Sequence, residues 1–356
     1  MSTGKRVLVA MSGGVDSSVA AAILKEQGYD VLGATLVFRP EKNVDKISWC
    51  CGDGAVESAR TVADKLGIEH HTVDAADEFE REILKPAWDE YARGRTPSPC
   101  INCNAKMKFG LLMRHASNLG AEIMATGHYA LLEKDGERGL FRGRDTSKDQ
   151  SYFLFALSCD QLGKVVFPLG GLEKSEVRTI ASKMGLASAN RPESQDACFI
   201  IEGGGFSEAL RTRFEATARA GDVVDPRGEK LGRHKGIHLY TIGQRKGLGI
   251  AVGSRAYVSG IDADNSSVVL SDDPRDLEST RLTASSPTWI GGAAPSFPLR
   301  CTAQIRYRHA PAGAVVNPDG KGGLRVEFEK PQRAVAPGQG VALFDGDRVL
   351  GGGWID

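Results

Sequence analysis

The stretch Val7-Leu8-Val9-Ala10-Met11-Ser12-Gly13-Gly14-Val15-Asp16-Ser17-Ser18 decides the fold. Val7 to Ala10 is an aliphatic run of strand type, and Val19-Ala20-Ala21-Ala22-Ile23-Leu24 behind it is helix-like. Strand, tight turn and helix therefore follow one another directly. A glycine pair lets the backbone turn sharply and come close to a ligand. Ser12, Ser17 and Ser18 place hydroxyls beside the unpaired N–H groups of a helix N-terminus, which favours an anion. The G-x-x-x-x-G-K-S/T order of a Walker loop is absent.

Outward from this turn, strands and helices alternate. Asp30 to Leu36 reads as a strand, and Ala55 to Leu66 as a helix ended by Gly67. Ile68 to Val73 is a third strand. Phe79 to Tyr91 is helical in spacing, with Pro86 predicting a kink or break. Met107 to Leu119 is a helix, Glu122 to Thr126 a short strand and Lys174 to Met184 a further helix. Strands spaced by helices predict a parallel sheet with ligands outside the strand C-termini. Ser12 to Ser18, Leu36 and Thr126-Gly127-His128 all fall at such ends.

Past Gly170 the character changes. Arg191 to Gly205 is loop-like and contains Cys198. From about Asp222 onward, short strands alternate with turns such as Asp225-Pro226-Arg227-Gly228 and Asn317-Pro318-Asp319-Gly320, predicting a small β module and then a barrel or sandwich. Ser271 to Glu278, acidic and proline-containing, is the expected boundary between them. The expected domains are thus an α/β catalytic unit over 1–204, a β-rich unit over 205–273 and a β-barrel over 274–356.

A length of 356 residues suits two or three domains, and 41% hydrophobic with 25% charged residues is ordinary for a soluble protein. Forty-five basic residues balance 45 acidic ones, so any basic surface is local. Lys5-Arg6 ahead of an apolar run resembles a signal peptide, but Ser12-Gly13-Gly14 and Asp16 interrupt that run. No apolar stretch reaches membrane-spanning length. Seven cysteines, an odd number, point to a cytoplasmic protein with reactive or metal-binding thiols rather than a disulfide scaffold.

Two of those thiols lie in Arg95-Thr96-Pro97-Ser98-Pro99-Cys100-Ile101-Asn102-Cys103-Asn104. The prolines stiffen the approach, so a C-x-x-C pair is expected on an ordered loop. Asn102 or Asn104 is the expected cap of the following helix, whose N-terminus, with Lys106 and Lys108, favours thiolate. A zinc site, a redox pair and two inert thiols all remain open on these residues alone. Cys198 closes Ser194-Gln195-Asp196-Ala197-Cys198, a polar loop that turns apolar at Phe199-Ile200. Cys159 and Cys301 are read as structural.

S-G-G-V-D-S-S at Ser12 to Ser18 resembles the PP-loop of ATP pyrophosphatases, which split ATP into AMP and pyrophosphate. G-R-T-P-S-P-C-I-N-C-N from Gly94, A-T-G-H-Y from Ala125, K-D-Q-S-Y-F-L from Lys148, C-F-I from Cys198, Tyr240 to Gly249, Pro337-Gly338-Gln339 and the terminal G-G-G-W-I follow in order. Together these resemble the bacterial tRNA-specific 2-thiouridylases (MnmA family) over nearly the whole chain. The resemblance implies a PP-loop domain, a central β-rich domain and a C-terminal β-barrel. It implies adenylation of the C2 carbonyl oxygen of the wobble uridine in tRNAs for Lys, Glu and Gln, then displacement of AMP by a persulfide sulfur. ATP would lie on Ala10, Met11, Ser12, Gly13, Gly14, Val15, Asp16 and Ser17, with Leu36 and Gly127 near the nucleotide. Mg²⁺ would accompany it, with Asp16 helping to place the metal. Cys103 corresponds to the nucleophile and Cys198 to the persulfide carrier, the two forming a disulfide as sulfur is released. Ser98, Pro99 and Cys100 correspond to the loop that meets the target base. His128, Lys148, Asp149, Gln150, Arg306, Tyr307 and Gln339 correspond to tRNA contacts. The implied partners are tRNA and a sulfur source: a relay protein, a cysteine desulfurase or inorganic sulfide.

One position departs. Many members carry Asp where Cys100 stands. The exchange creates three soft candidate ligands, Cys100, Cys103 and Cys198, a set able to hold a 4Fe–4S cluster with one open iron. Two other classes share part of the pattern. A PP-loop ligase forming amides would need the turn but neither cysteine, and a non-catalytic tRNA- or metal-binding protein would need no ATP.

Basic residues cluster at Arg227, Lys230, Arg233, Lys235, Arg245 and Lys246, with His234, His238 and Tyr240 interleaved, and again at Arg300, Arg306 and Arg308 around Tyr307. Such clusters suit a phosphate backbone and splayed bases. The target uridine must leave its stack to react.

Overall fold

The computed structural model describes residues 4–38, 47–49, 53–134, 136–186, 199–201, 205–250 and 255–356. Cys198 falls outside these, as do Cys50 and Cys51, so the expectations placed on Cys198 lie outside the described residues.

The decisive turn opens a parallel sheet. Strand β1 (Arg6–Ala10) pairs in parallel with β2 (Asp30–Val37) on one side and β5 (Ile123–Ala125) on the other. The sheet is completed by β4 (Glu69–Asp74) beside β2 and by β8 (Val165–Val166) beside β5. Val7, Leu8 and Val9 are wholly buried, as a central strand covered on both faces requires. β1 is the point from which the chain winds both ways, and the crevice outside its C-terminal end is where such sheets take ligands. Helix α1 (Val15–Glu26) starts there, and α2 (Asp53–Leu66) and α8 (Lys174–Lys183) pack on the same side. A short antiparallel pair joins β3 (Ile47–Trp49) to β9 (Phe199–Ile201).

Two helical expectations are corrected. The run from α3 (Ala76–Phe79) to α4 (Lys85–Ala92) is not broken at Pro86. A π-helical stretch, Glu80–Leu84, joins the two, and Pro86 lies in the first turn of α4, where its missing N–H costs least. The cysteine helix begins at Pro99, not Met107. α5 (Pro99–Asn102) passes through a π-helical stretch, Cys103–Leu112, into α6 (Met113–Asn118). Cys100 and Cys103 therefore lie in the first turns of a helix rather than on a loop. Neither Asn102 nor Asn104 caps it. Ser98 occupies the cap position without a side-chain bond, and buried Asn104 donates to the Phe153 carbonyl at 3.2 Å.

The second half is all β apart from short helices such as α9 (Phe206–Arg213). β10 (Gly221–Val224), β11 (Lys230–His234), β12 (Tyr257–Asp262) and β13 (Ser267–Ser271) form a four-stranded sheet over Val223, Ile237, Val258, Val268 and Leu270. β14 (Glu278–Trp289), β17 (Leu324–Arg333), β16 (Ala312–Pro318), β15 (Leu299–Gln304), β18 (Gly340–Asp345) and β19 (Arg348–Ile355) then close into a barrel through the β14–β19 pairing. Its filling includes Leu282, Val316, Val326, Val341 and Leu343. Cys301 packs there, and burial pushes its thiol up to about 12, whereas Cys159 is exposed. One hairpin crosses between units. β6 (Ala130–Lys134) and β7 (Glu137–Arg142) leave the parallel sheet and add to the barrel edge, Phe141 pairing with Arg348 and Leu140 with Val349.

Candidate active site

At the end of β1 the Met11 N–H binds the Ala34 carbonyl at 2.7 Å, which pins the turn to β2. Gly13 adopts φ +72°, and a Cβ on it would lie 2.4 Å from the Ala55 carbonyl oxygen. The turn can only be made here by glycine. Gly14 precedes α1 in extended conformation without a side-chain cap, so the helix's first N–H groups are not claimed by one. Ser17 Oγ accepts the Ser12 N–H at 3.1 Å and donates to the Gly14 carbonyl at 3.2 Å, while Ser18 Oγ donates to the same carbonyl at 2.8 Å. The serines thus stiffen the loop from inside.

Gly127 meets this loop from β5. A Cβ there would lie 2.8 Å from both Asp16 C and Ser17 N. Asp16 is held hard. Lys174 Nζ stands 2.7 Å from each carboxylate oxygen, and the Tyr129 hydroxyl donates to Oδ1 at 2.8 Å. Tyr129 in turn donates its N–H to Gln150 Oε1 at 3.1 Å and accepts the Gln150 N–H at 3.0 Å. The Lys148-Asp149-Gln150 segment is so tied to the phosphate-type turn through one tyrosine. Lys174 carried no role in the sequence reading. Its position was a usable signal, because a lysine in the first turn of a helix opposes the dipole unless an anion holds it.

The other expected residues divide. Cys103 is buried within the apolar cluster that also contains Leu36, Phe38, Ile101 and Met107, and Cys100 is half-buried one turn before it. Leu36 lies near the end of β2, and Gly127, just past β5, meets the turn. His128 is buried between Phe109 and Phe167 with Nδ1 2.7 Å from Thr126 Oγ1. Burial and the neighbouring Lys108 hold its imidazole well below the usual histidine range, so it is neutral at pH 7. Asp149 is buried and accepts from Arg142 Nη1 at 2.8 Å, Gly143 N at 3.1 Å, Ser151 N at 3.0 Å and Ser151 Oγ at 2.9 Å. Tyr307 packs on Phe153 with ring centroids 4.5 Å apart. Arg306 Nη1 donates to the Arg333 and Ala334 carbonyls at 3.2 Å each. Gln339 Nε2 donates to the Thr96 carbonyl at 2.9 Å and the Pro97 carbonyl at 3.2 Å.

The basic clusters also divide. Lys230 and Arg233 face Asp222 at 2.7 and 3.8 Å. Arg245, Arg306 and Arg333 have no carboxylate within ion-pair distance among the described residues. Arg333 lies over the Tyr257 ring at 4.6 Å, and Arg245 and Arg333 lower the affinity of that phenol for its proton. Burial, and then the neighbouring Arg333, lower the Arg306 guanidinium's hold on its proton.

Among the described residues no group of three or more His, Cys, Asp or Glu is placed to hold a metal ion, and no helix is long and apolar enough to cross a membrane.

A parallel sheet with a serine- and glycine-built turn after its first strand, carrying a β module and a closed barrel, defines a PP-loop protein, and that fold implies ATP binding. Residues 5–202 match the tRNA methyl transferase HUP domain, 211–272 the tRNA methyl transferase PRC-barrel domain and 279–355 the aminomethyltransferase beta-barrel domain. A tRNA-specific 2-thiouridylase MnmA of Geobacter metallireducens is 44% identical over 99% of this chain and 97% of its own. One from Heliobacterium modesticaldum is 45% identical over 98% of this chain and 92% of its own. The chain belongs to the tRNA-specific 2-thiouridylase family. A solved U34-tRNA thiolase of Methanococcus maripaludis overlays 60% of this chain and 66% of its own at TM-score 0.36 and 18% identity.

Proposed function

We propose that the chain replaces the C2 oxygen of a tRNA wobble uridine by sulfur at the expense of ATP. The observation that carries this reading is the full-length family match on a chain that keeps both the Gly13–Gly127 cradle and the Cys100–Cys103 helix. A urea-like carbonyl is a poor electrophile, and its oxygen a poor leaving group. Transfer of AMP to that oxygen, with release of pyrophosphate, makes it a good one. The α1 N-terminus and the glycine turn are suited to the phosphate charge. The terminal sulfur of a Cys198 persulfide then attacks C2 and AMP departs. Cys103 attacks Cys198 Sγ, 2-thiouridine is released and a Cys103–Cys198 disulfide is left for an external thiol to reduce. The persulfide's outer sulfur comes as sulfane sulfur from a sulfur-relay protein or a cysteine desulfurase, whereas inorganic sulfide would serve the cluster route.

Both oxygens of Asp16 are engaged by the Lys174 ammonium, so these residues do not offer Mg²⁺ a ready carboxylate, and the metal is assigned no step. The 4Fe–4S alternative has two of its three thiols, Cys100 and Cys103, a turn apart on one helix, and the test below separates it. Arg245 and Arg333 beside Tyr257, with Arg306 bonded to the Arg333 carbonyl, suit tRNA phosphates.

Mass spectrometry of wobble nucleosides after incubation with ATP, tRNA and sulfur donor tests the reading. Wild type is expected to form 2-thiouridine, and Cys103→Ser and Cys198→Ser to form none. Thiolation that survives both substitutions overturns it. Iron and sulfide in anaerobically purified active protein would replace the persulfide route by the cluster route.

A further inference from the structure

We propose that Gln339 acts as a positioning residue for the cysteine helix, the barrel segment Pro337–Gly340 forming a clamp on the strand of chain that leads into it. This rests on the reading that Cys103 takes part in sulfur transfer. It differs from the tRNA-contact role that the family resemblance implies for Gln339.

A glutamine carboxamide has two N–H donors. Both side-chain partners of Gln339 are carbonyls, Thr96 O at 2.9 Å and Pro97 O at 3.2 Å, so its nitrogen end faces the protein. The same short segment is gripped from several sides. The Thr96 N–H donates to the Pro337 carbonyl at 2.7 Å. Thr96 Oγ1 lies 3.2 Å from Thr241 Oγ1 of the middle unit. Arg95 is held by Glu90 Oε2 at 2.6 Å and by the Ile355 carbonyl at 2.9 Å. Gly338, at φ +89°, lies so close that a Cβ would stand 2.9 Å from Thr96 O. At Gly340 a Cβ would stand 2.7 Å from Ile101 Cδ1, which is in the cysteine helix itself.

Only Ser98 separates Pro97 from Pro99, where that helix begins, and Cys100 follows at once. Each proline fixes its own φ, so this connection has little slack to absorb a displacement. A shift at the Thr96–Pro97 peptide therefore reaches Cys100 and Cys103. The barrel, remote in sequence, sets where the thiols stand. Both β units share the grip, so docking of RNA on them is mechanically continuous with the thiols.

The experiment compares wild type with Gln339→Ala and Gln339→Glu, the latter keeping the shape but offering no donor to the two carbonyls. Steady-state thiolation, tRNA binding by filter retention and alkylation of Cys100 and Cys103 by iodoacetamide, mapped by peptide mass, are read together. Expected in both variants are a kcat lowered about tenfold to a hundredfold, as for a small misplacement of reacting groups, unchanged tRNA affinity and several-fold faster alkylation at unchanged circular dichroism. Weakened tRNA binding with intact kcat and unchanged alkylation would overturn the proposal and return Gln339 to RNA contact. Alkylation needs no turnover, so it decides the clamp even if wild type thiolates nothing, a result that would refute the function and not the clamp. Should Gln339→Ala not fold, Thr241→Val, which removes one grip on Thr96, is read by alkylation in the same way.

Discussion

Gly127→Ala isolates the contact between the fifth strand's exit and the phosphate-type turn. Gly127 does not adopt the left-handed conformation, so alanine's objection there is purely spatial. Its methyl would stand 2.8 Å from Asp16 C, 2.8 Å from Ser17 N and 3.0 Å from Asp16 Cβ. Carbon atoms pack best at about 3.5–4.0 Å, so the start of α1 must retreat by roughly 0.7 Å. Two of the three clashing atoms are backbone and cannot rotate away. Overpacking of this kind costs about 1–3 kcal/mol. For a unit of this size each kcal/mol lowers Tm by about 2–4 °C. If the strain is relieved by moving the turn, the same energy appears as roughly a 5- to 150-fold loss in ATP use. The assay is tRNA-dependent pyrophosphate release against ATP concentration, with a thermal melt, beside Gly171→Ala, whose Cβ would meet nothing within 4 Å. Wild-type Tm and wild-type ATP dependence in Gly127→Ala would refute the reasoning.

Lys174→Met should leave Asp16 with only the Tyr129 hydroxyl. Because Asp16 is a third exposed, solvent screens the loss, and stability should fall by only about 1–2 kcal/mol in a urea melt, while pyrophosphate release falls more steeply. Asp149→Ala strips Arg142 of its carboxylate and orphans Gly143 N–H and Ser151, so denaturant melts should show a loss of about 3–5 kcal/mol, with tRNA affinity of the remaining folded protein retained. His128 binds its proton less readily when folded than its ordinary 6.5, so protons favour the unfolded chain. Its stability contribution is complete above about pH 6.5 and is lost as pH falls below that value. His128→Asn should flatten the fall in Tm measured between about pH 7 and 5.

The first strand, its turn and its helix were readable because their signals are local: an aliphatic run, two glycines and a helical pattern within a few residues of one another. The barrel and β module were readable from turn residues at regular spacing. The start of the cysteine helix was not. Pro97 and Pro99 stiffen a loop, but proline also suits a helix's first turn, and Pro99 takes that second use. Asn104 looked like a cap, yet Phe153, distant in sequence, offered its amide a buried carbonyl. Lys174 and Asp16 are 158 positions apart and Gln339 and Thr96 are 243 apart, separations at which no window of sequence carries a pairing signal. Family resemblance named Asp149 and Gln339 as residues that matter. Only geometry shows that Asp149 serves four donors and Gln339 two carbonyls.

The hairpin Ala130–Lys134 and Glu137–Arg142 lends its second strand to the barrel edge at Arg348 and Val349. On the ribosome that ribbon emerges long before the strand it must join, and waits with an unpaired edge. Arg348–Ile355, made after the other strands of the barrel, is thus the one that both closes the barrel and shelters the early ribbon. A chain cut short before Arg348 would leave Glu278–Trp289, Gly340–Asp345 and the early ribbon each without this partner, so such a truncation should aggregate rather than yield a working front half.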